Sequence, residues 1–336
     1  MNIGILGAGT WGLALAALLC KNGHAVTVWS HRAESADRLR ATRTHPHLPD
    51  VVLPPEMTYT HRIDEAARDR ELVIFVVPSI AIRETARLCA PFLSERCVLA
   101  CATKGLEQGT LLTMTEIIEE VMREMRSEAQ FSYVALSGPT HAEEVARGLP
   151  ASIVSACTDE DVAGAVARVF ANSCMRVYTN SDVRGVELCG ALKNIMAIAA
   201  GINRGMGLGD NARAMLMTRG ISEMTRVGLA MGCHRRTFMG LAGIGDLIVT
   251  CTSEHSRNNR CGYLIGKGIS YADAAREIGM VVEGYYALEA AIELSHRYAV
   301  EMPITFAVYD IIKNGISAEA AMKKLMQRDL KSELEA

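Results

Sequence analysis

Residues 3–12, Ile3-Gly4-Ile5-Leu6-Gly7-Ala8-Gly9-Thr10-Trp11-Gly12, decide the fold. A short aliphatic run ends in G-x-G-x-x-G and passes straight into Leu13-Ala14-Leu15-Ala16-Ala17-Leu18-Leu19, which reads as an apolar helix. Glycines at this spacing arise by chance. Their place between a strand and a helix is what gives them meaning. Gly7 permits a tight turn, Gly9 lets a pyrophosphate approach the backbone, and Gly12 lets the helix pack closely on the strand. The helix N-terminus adds free N–H groups and the positive end of its dipole. About 20 residues on, where a carboxylate usually binds the ribose of NAD, the chain has Ser30-His31-Arg32. No acid there repels a 2′-phosphate and Arg32 can pair with one, so the sequence predicts that NADPH is accepted and preferred to NADH.

Outward from that turn the first half alternates. Strand-like runs fall at Ile3–Leu6, Ala25–Trp29, Leu72–Val77, Val98–Cys101, Val134–Leu136 and Ser152–Ser155, with helical patterning at 12–21, 80–92 and 111–125. Repeated alternation predicts a doubly wound, mostly parallel sheet with helices on both faces. After Val177-Tyr178 no further strand reads clearly. Long Ala- and Met-rich stretches take over at 183–204, 212–231, 285–298 and 304–314. Gly205, Gly207, Gly209, Gly232 and Gly315 punctuate them as helix ends and turns. The expected organisation is a dinucleotide-binding domain over 1–180 and an all-helical substrate and catalytic domain over 181–336, divided at Thr179-Asn180-Ser181-Asp182.

Composition agrees. A chain of 336 residues suggests two domains of roughly 150 residues each. It is 49% hydrophobic, enough to offset chain entropy and exclude a disordered protein. Lys+Arg 35 against Asp+Glu 38 leaves no basic footprint, and 5% aromatics leave few stacking platforms, so no nucleic-acid partner is expected. Ten scattered cysteines without a C-x-x-C pair fit a reducing compartment, and no Cys/His spacing suits a metal. The first residues read as a strand and not as a signal peptide. The apolar run Leu188–Ile202, interrupted by Lys193-Asn194, reads as too short for membrane insertion. The expected location is the cytoplasm.

Three polar features interrupt apolar surroundings. Lys193-Asn194 breaks an otherwise aliphatic helix. The pattern leaves two fates open: a stem that carries the ammonium to water, or an ammonium held by a charge partner. In the second case burial draws it toward proton exchange. Glu187, about one and a half turns away, reads as lying off that face. Lys104 follows a strand end, where ligands of open α/β sheets bind, and Ser137-Gly138-Pro139-Thr140 joins another strand end to a helix. Asp246 sits inside Gly243-Ile244-Gly245-Asp246-Leu247, ten residues before the polar loop Ser256-Arg257-Asn258-Asn259-Arg260. Together these groups suit a clamp for a small phosphorylated substrate.

Over essentially its whole length the chain resembles the bacterial NAD(P)-dependent glycerol-3-phosphate dehydrogenases. The matching blocks are GAGTWG at 7–12, ATKGLE at 102–107, SGPTHAEE at 137–144, LCGALKNIMAIAAGI at 188–202, NARAMLMTRG at 211–220, GLAGIGDLIVTCTSEHSRNNR at 240–260, VVEGY at 281–285 and EMPIT at 301–305. The resemblance implies an N-terminal Rossmann domain followed by an all-α domain. It implies reversible reduction of dihydroxyacetone phosphate to sn-glycerol 3-phosphate, the precursor of the phospholipid backbone. It makes Lys193 the proton donor and acceptor. Lys104, Gly138, Thr140, Lys193, Asn194, Asp246, Ser256, Arg257 and Asn258 become the substrate set. Gly7, Gly9, Thr10, Trp11, Gly12, His31, Arg32, Lys104, Ala142, Arg257, Val281 and Glu283 become the contacts to NADPH or NADH. A homodimer is a further implication. The competing readings are a related dehydrogenase of a hydroxy acid such as 6-phosphogluconate, and a non-catalytic NADPH sensor.

Overall fold

In the computed structural model, which describes residues 1–330 and 332–333, eight strands form one sheet. They are β1 (Asn2–Leu6), β2 (Ala25–Trp29), β3 (Thr58–Thr60), β4 (Leu72–Phe75), β5 (Val98–Cys101), β6 (Ser132–Ser137), β7 (Ala151–Ala156) and β8 (Met175–Asn180). The spatial order is β3-β2-β1-β4-β5-β6-β7-β8. All neighbours run parallel except β6 and β7, which pair antiparallel with Leu136 opposite Ser155. Seven helices accompany the sheet: α1 (Thr10–Lys21), α2 (Ala33–Thr42), α3 (Ile63–Ala67), α4 (Ile82–Cys89), α5 (Met114–Met125), α6 (Ala142–Arg147) and α7 (Glu160–Phe170).

Alternation along β4 shows why both faces need cover. Leu72 and Ile74 join a core with Leu13, Leu15 and Leu19 of α1, whereas Val73 and Phe75 join a second core with Ile82 of α4 and Ile117 of α5. Each such fully buried side chain contributes about 1.5–3 kcal/mol. A strand buried on both faces reads as a continuous apolar run.

The second region is helical: α8 (Val183–Gly205), α9 (Asp210–Ala230), α10 (Arg235–Phe238), α11 (Asp246–Thr252), α12 (Arg257–Gly266), α13 (Tyr271–Ile278), α14 (Glu283–Arg297), α15 (Pro303–Asn314) and α16 (Ala318–Met326). No strand follows β8 among the described residues. Compactness divides the chain into Met1–Lys104 with Leu112–Glu187, and Gly105–Leu111 with Leu188–Ala336. The polar step at 179–182 starts α8, where Asp182 Oδ1 accepts the Gly185 N–H at 3.0 Å. The division itself falls five residues inside that helix.

Three sequence readings need correction. β3 escaped notice because Thr58-Tyr59-Thr60 is three residues without an aliphatic run. β4 ends at Phe75 and not Val77, since the chain turns where Val76 passes Gly7. The apolar segment around Lys193 belongs to a 23-residue helix, long and apolar enough to cross a membrane, yet its apolar stretch is wholly buried within the protein.

Two helix N-termini are covered by glutamates from elsewhere in the chain. Glu187 accepts the Thr115 N–H at 2.8 Å and the Thr115 hydroxyl at the head of α5. Glu223 accepts the Ile304 and Thr305 N–H groups at 2.5 and 3.2 Å at the head of α15. Burial pushes both carboxyls up to about 7.

Candidate active site

The glycine turn is built as its spacing requires. Gly7 sits at φ 132°, and a Cβ there would lie 2.7 Å from the Val76 carbonyl oxygen. A Cβ on Gly12 would run into the Gly7 carbonyl oxygen, so helix and turn touch backbone to backbone. Gly9 precedes α1 with no side-chain cap, and a Cβ built on it meets nothing within 4 Å. The first turn of α1, containing Thr10 and Trp11, holds no acid. Uncapped N–H groups beside open space fit a dinucleotide pyrophosphate. At the end of β2, His31 and Arg32 are exposed, and Arg32 Nε donates to His31 Nε2 at 3.1 Å. That pair presents cationic and imidazole groups, with no carboxylate at the strand end, and suits a 2′-phosphate.

The same unit gathers Lys104, Gly138 and Thr140 beyond the C-terminal ends of β5 and β6. Lys104 Nζ and Thr140 Oγ1 both donate to the Gly138 carbonyl at 3.2 Å. Gly138 is required there, because at φ 154° a Cβ would lie 2.9 Å from the Ser152 carbonyl oxygen. Ala142 opens α6 and is buried, and no side chain caps that helix.

In the helical unit Lys193 is buried, 6% exposed, which decides between its two fates. Its Nζ is hydrogen-bonded and ion-paired to Asp246 Oδ1 and donates to Thr250 Oγ1 at 2.7 Å. Asp246 is 1% exposed at the start of α11, after a wide turn closed by Gly245 N–H to the Gly240 carbonyl at 3.2 Å. Thr250, one helical turn along, donates to the Asp246 carbonyl at 2.6 Å and so aims its lone pair at the ammonium. Desolvation opposes charge on both partners and their pairing favours it. Glu187, in contrast, bonds to Thr115 and belongs to the head of α5. Cys251, beside this cluster, is pushed up to about 12 by burial despite the nearby lysine, and stays an unreactive thiol.

Next to Lys193, Asn194 Oδ1 accepts from Asn258 Nδ2 at 3.0 Å, and Asn258 Oδ1 accepts the Gly284 N–H at 2.9 Å. Ser256 caps α12 by accepting the Asn259 N–H at 3.2 Å. Arg257 Nη1 reaches the Val281 carbonyl at 3.2 Å, two residues before Glu283 at the head of α14. Asn194, Asn258 and Gly284 are thus tied together, with Arg257 and Val281 joined beside them.

Sequence reasoning missed Thr250, Asn259 and Gly284. Thr250 carried a signal in its i+4 spacing from Asp246. Asn259, whose Nδ2 donates to the Cys251 carbonyl at 2.9 Å, stood in the polar loop at 256–260 without a role of its own, and Gly284 carried no signal. A groove of about 610 Å³ lined by His296, Phe306, Lys324 and Arg328 contains none of these residues. Among the described residues no group of three or more His, Cys, Asp or Glu could hold a metal ion.

Comparison with known proteins identifies the family. The family described as NAD-dependent glycerol-3-phosphate dehydrogenase matches through its N-terminus at residues 2–163 and through its C-terminus at 182–323. A glycerol-3-phosphate dehydrogenase (NAD(P)+) 2 of Lactobacillus delbrueckii subsp. bulgaricus is 52% identical over 333 residues, covering 99% of each chain. The Bacillus subtilis glycerol-3-phosphate dehydrogenase (NAD(P)+) is 45% identical over 99% of this chain and 96% of its own. The crystal structure of glycerol-3-phosphate dehydrogenase from Coxiella burnetii superposes with a TM-score of 0.91 at 36% identity, over 97% of this chain and 99% of that one. With both halves matched in order and relatives aligned end to end, the chain belongs to the NAD-dependent glycerol-3-phosphate dehydrogenase family.

Proposed function

We propose that this chain catalyses the reversible, NAD(P)H-dependent reduction of dihydroxyacetone phosphate to sn-glycerol 3-phosphate, supplying the glycerol backbone for phospholipid synthesis. One observation carries the reading: a lysine buried in an apolar helix and held by Asp246 and Thr250. A nicotinamide, when bound, supplies or takes up the hydride. Lys193 Nζ gives a proton to the substrate oxygen as the carbonyl becomes an alcohol, and takes it back in the reverse direction. As an ammonium it also stabilises charge developing on that oxygen. Asp246 and Thr250 hold the Nζ in its aim, so little reorganisation is needed when the oxygen gains charge.

Arg257 and Asn258 grip the phosphate, with Ser256 at the head of α12, and that remote binding orients the carbonyl. Lys104, Gly138 and Thr140 complete the substrate contacts, with Asn194 beside the lysine. Gly7, Gly9, Thr10, Trp11 and Gly12 receive the cofactor pyrophosphate. His31 and Arg32 take the 2′-phosphate of NADPH, the preferred cofactor. Lys104, Ala142, Arg257, Val281 and Glu283 complete the cofactor contacts. In this reading residues 1–180 bind the cofactor, residues 181–336 carry substrate and proton chemistry, and the enzyme works as a cytoplasmic homodimer. The test is oxidation of NADPH, and separately NADH, by purified protein given dihydroxyacetone phosphate or unphosphorylated dihydroxyacetone. Turnover that depends on the phosphate group supports the assignment. Cofactor binding without turnover on dihydroxyacetone phosphate would overturn it.

A further inference from the structure

Four glycines of the helical unit lie where two helices touch. A Cβ on Gly262 would run into the Ile198 carbonyl oxygen, and one on Gly266 into the Ile202 carbonyl oxygen. From the other side, a Cβ on Gly201 would collide with the Asn259 carbonyl oxygen, and one on Gly205 with that of Tyr263. The contacts form rungs that climb α8 and α12 together: Asn194 with Asn258, Ile198 with Gly262, Ile202 with Gly266. Each step is four residues on both helices, about 6 Å of rise. The first rung is the 3.0 Å side-chain bond between Asn194 and Asn258. The residue before it is Lys193 on one helix and Arg257 on the other. Helices separated by ordinary side chains lie about 8–10 Å apart, and only missing Cβ atoms let backbones meet more closely.

We propose that Gly262 and Gly266, with Gly201 and Gly205, are positioning residues for the reaction. By letting α8 and α12 touch, they fix the separation between the lysine that handles the proton and the Arg257-Asn258 pair that grips the phosphate. This rests on the function proposed above. A three-carbon substrate gripped at its phosphate cannot stretch, so the carbonyl oxygen meets Lys193 Nζ only at one spacing of the two helices. Dihydroxyacetone, which has no phosphate to anchor it, can settle against the lysine at any spacing. The glycine contact therefore sets the preference for the phosphorylated substrate.

The experiment compares full-length wild type, Gly262→Ala, Gly266→Ala and the control Gly164→Ala, whose new methyl in α7 meets only the flexible end of Arg168 at 3.5 Å. Each is measured for thermal midpoint, NADPH affinity, and kcat and KM with dihydroxyacetone phosphate and with dihydroxyacetone. Gly262→Ala is expected to lose about 100-fold in kcat/KM for the phosphorylated substrate, the cost of a misplacement near 1 Å. Its preference over dihydroxyacetone should fall about ten-fold, because remote binding energy no longer reaches the reacting centre. NADPH affinity should fall far less, because the glycine turn at 7–12 that receives the pyrophosphate is untouched, although Arg257 also stands among the cofactor contacts. If Gly262→Ala does not fold, Gly266→Ala is read by the same preference. A folded variant with wild-type preference overturns the proposal, whether its activity is intact or lowered equally for both substrates. A shifted preference in Gly164→Ala does so too. Wild-type protein without turnover overturns the functional reading and the positioning role together. An active wild type with unmoved preferences overturns only the latter.

Discussion

Glycines decide the geometry in two regions, and they do so in opposite ways. At residues 7–12 the missing side chain at Gly9 leaves backbone facing open space. At Gly201, Gly205, Gly262 and Gly266 the missing side chains are filled by the backbone of the neighbouring helix. The first arrangement leaves the N–H groups of a helix end uncapped and open. The second consumes the vacancy in packing and serves chemistry indirectly, through the side chains it brings together. An absent Cβ signals binding only where nothing else occupies its place.

The contrast can be broken most severely from the helical side. Lys193→Ala is expected to lower turnover by about 10²–10⁴-fold, the range for removing a positioned proton donor. Fluorescence titration should find NADPH affinity unchanged, since the open turn is untouched. Near-normal turnover would remove Lys193 from the chemistry. Arg257→Ala should raise KM for dihydroxyacetone phosphate by about 10–100-fold, as expected for the loss of a charged phosphate contact. Steady-state kinetics with a wild-type KM would take it out of the phosphate grip.

From the other side, Gly9→Val should fold normally, because its backbone lies at φ −77° and its Cβ meets nothing. NADPH affinity should fall about ten-fold for each phosphate hydrogen bond blocked, with the thermal midpoint unmoved. A variant that binds NADPH as tightly as wild type would show that the space above Gly9 is not the phosphate site.

The smallest effect concerns backbone that is covered by acids. The head of α1 is bare, whereas Glu187 and Glu223 cover the heads of α5 and α15. Burial raises both carboxyls to about 7 in the folded state. The folded protein therefore binds protons more tightly than the unfolded chain. The stability this gives is fully present below the unfolded value near 4.5 and is lost as pH rises through about 7. For Glu223 the change amounts to about 3 kcal/mol. Urea midpoints of Glu223→Gln should fall less between pH 5 and 7, roughly the window set by the two values, while Glu187 keeps its own share of the slope. A pH dependence identical to wild type would refute the assignment to Glu223.

Much of the molecule is legible in the sequence. The turn at 7–12 is local, since strand, glycines and helix are adjacent in the chain. β4 announced itself by an unbroken apolar run, and Lys193-Asn194 by being polar where nothing else was. β3 did not, because three residues carry too little pattern. Gly205 reads as a helix end, and it is one, but no local pattern shows that its vacant side is filled by Tyr263 and Gly266. Likewise Asp246 read as buried, while Thr250 and Gly284 became partners only once α11 and α14 were in place.

The sequence by itself determined the alternating sheet, the glycine turn between strand and helix, the absence of a carboxylate at the end of β2, and the polar residues that stand out from apolar surroundings. These depend on neighbours a few residues apart, so periodicity and spacing express them. The tertiary structure alone decided that Lys193 turns inward to Asp246, 53 residues away, and that Asn194 meets Asn258 across 64. It also decided which glycines face space and which face backbone. Those outcomes depend on which helix lies against which, and no local pattern in the chain records a distance between two segments that meet only after folding.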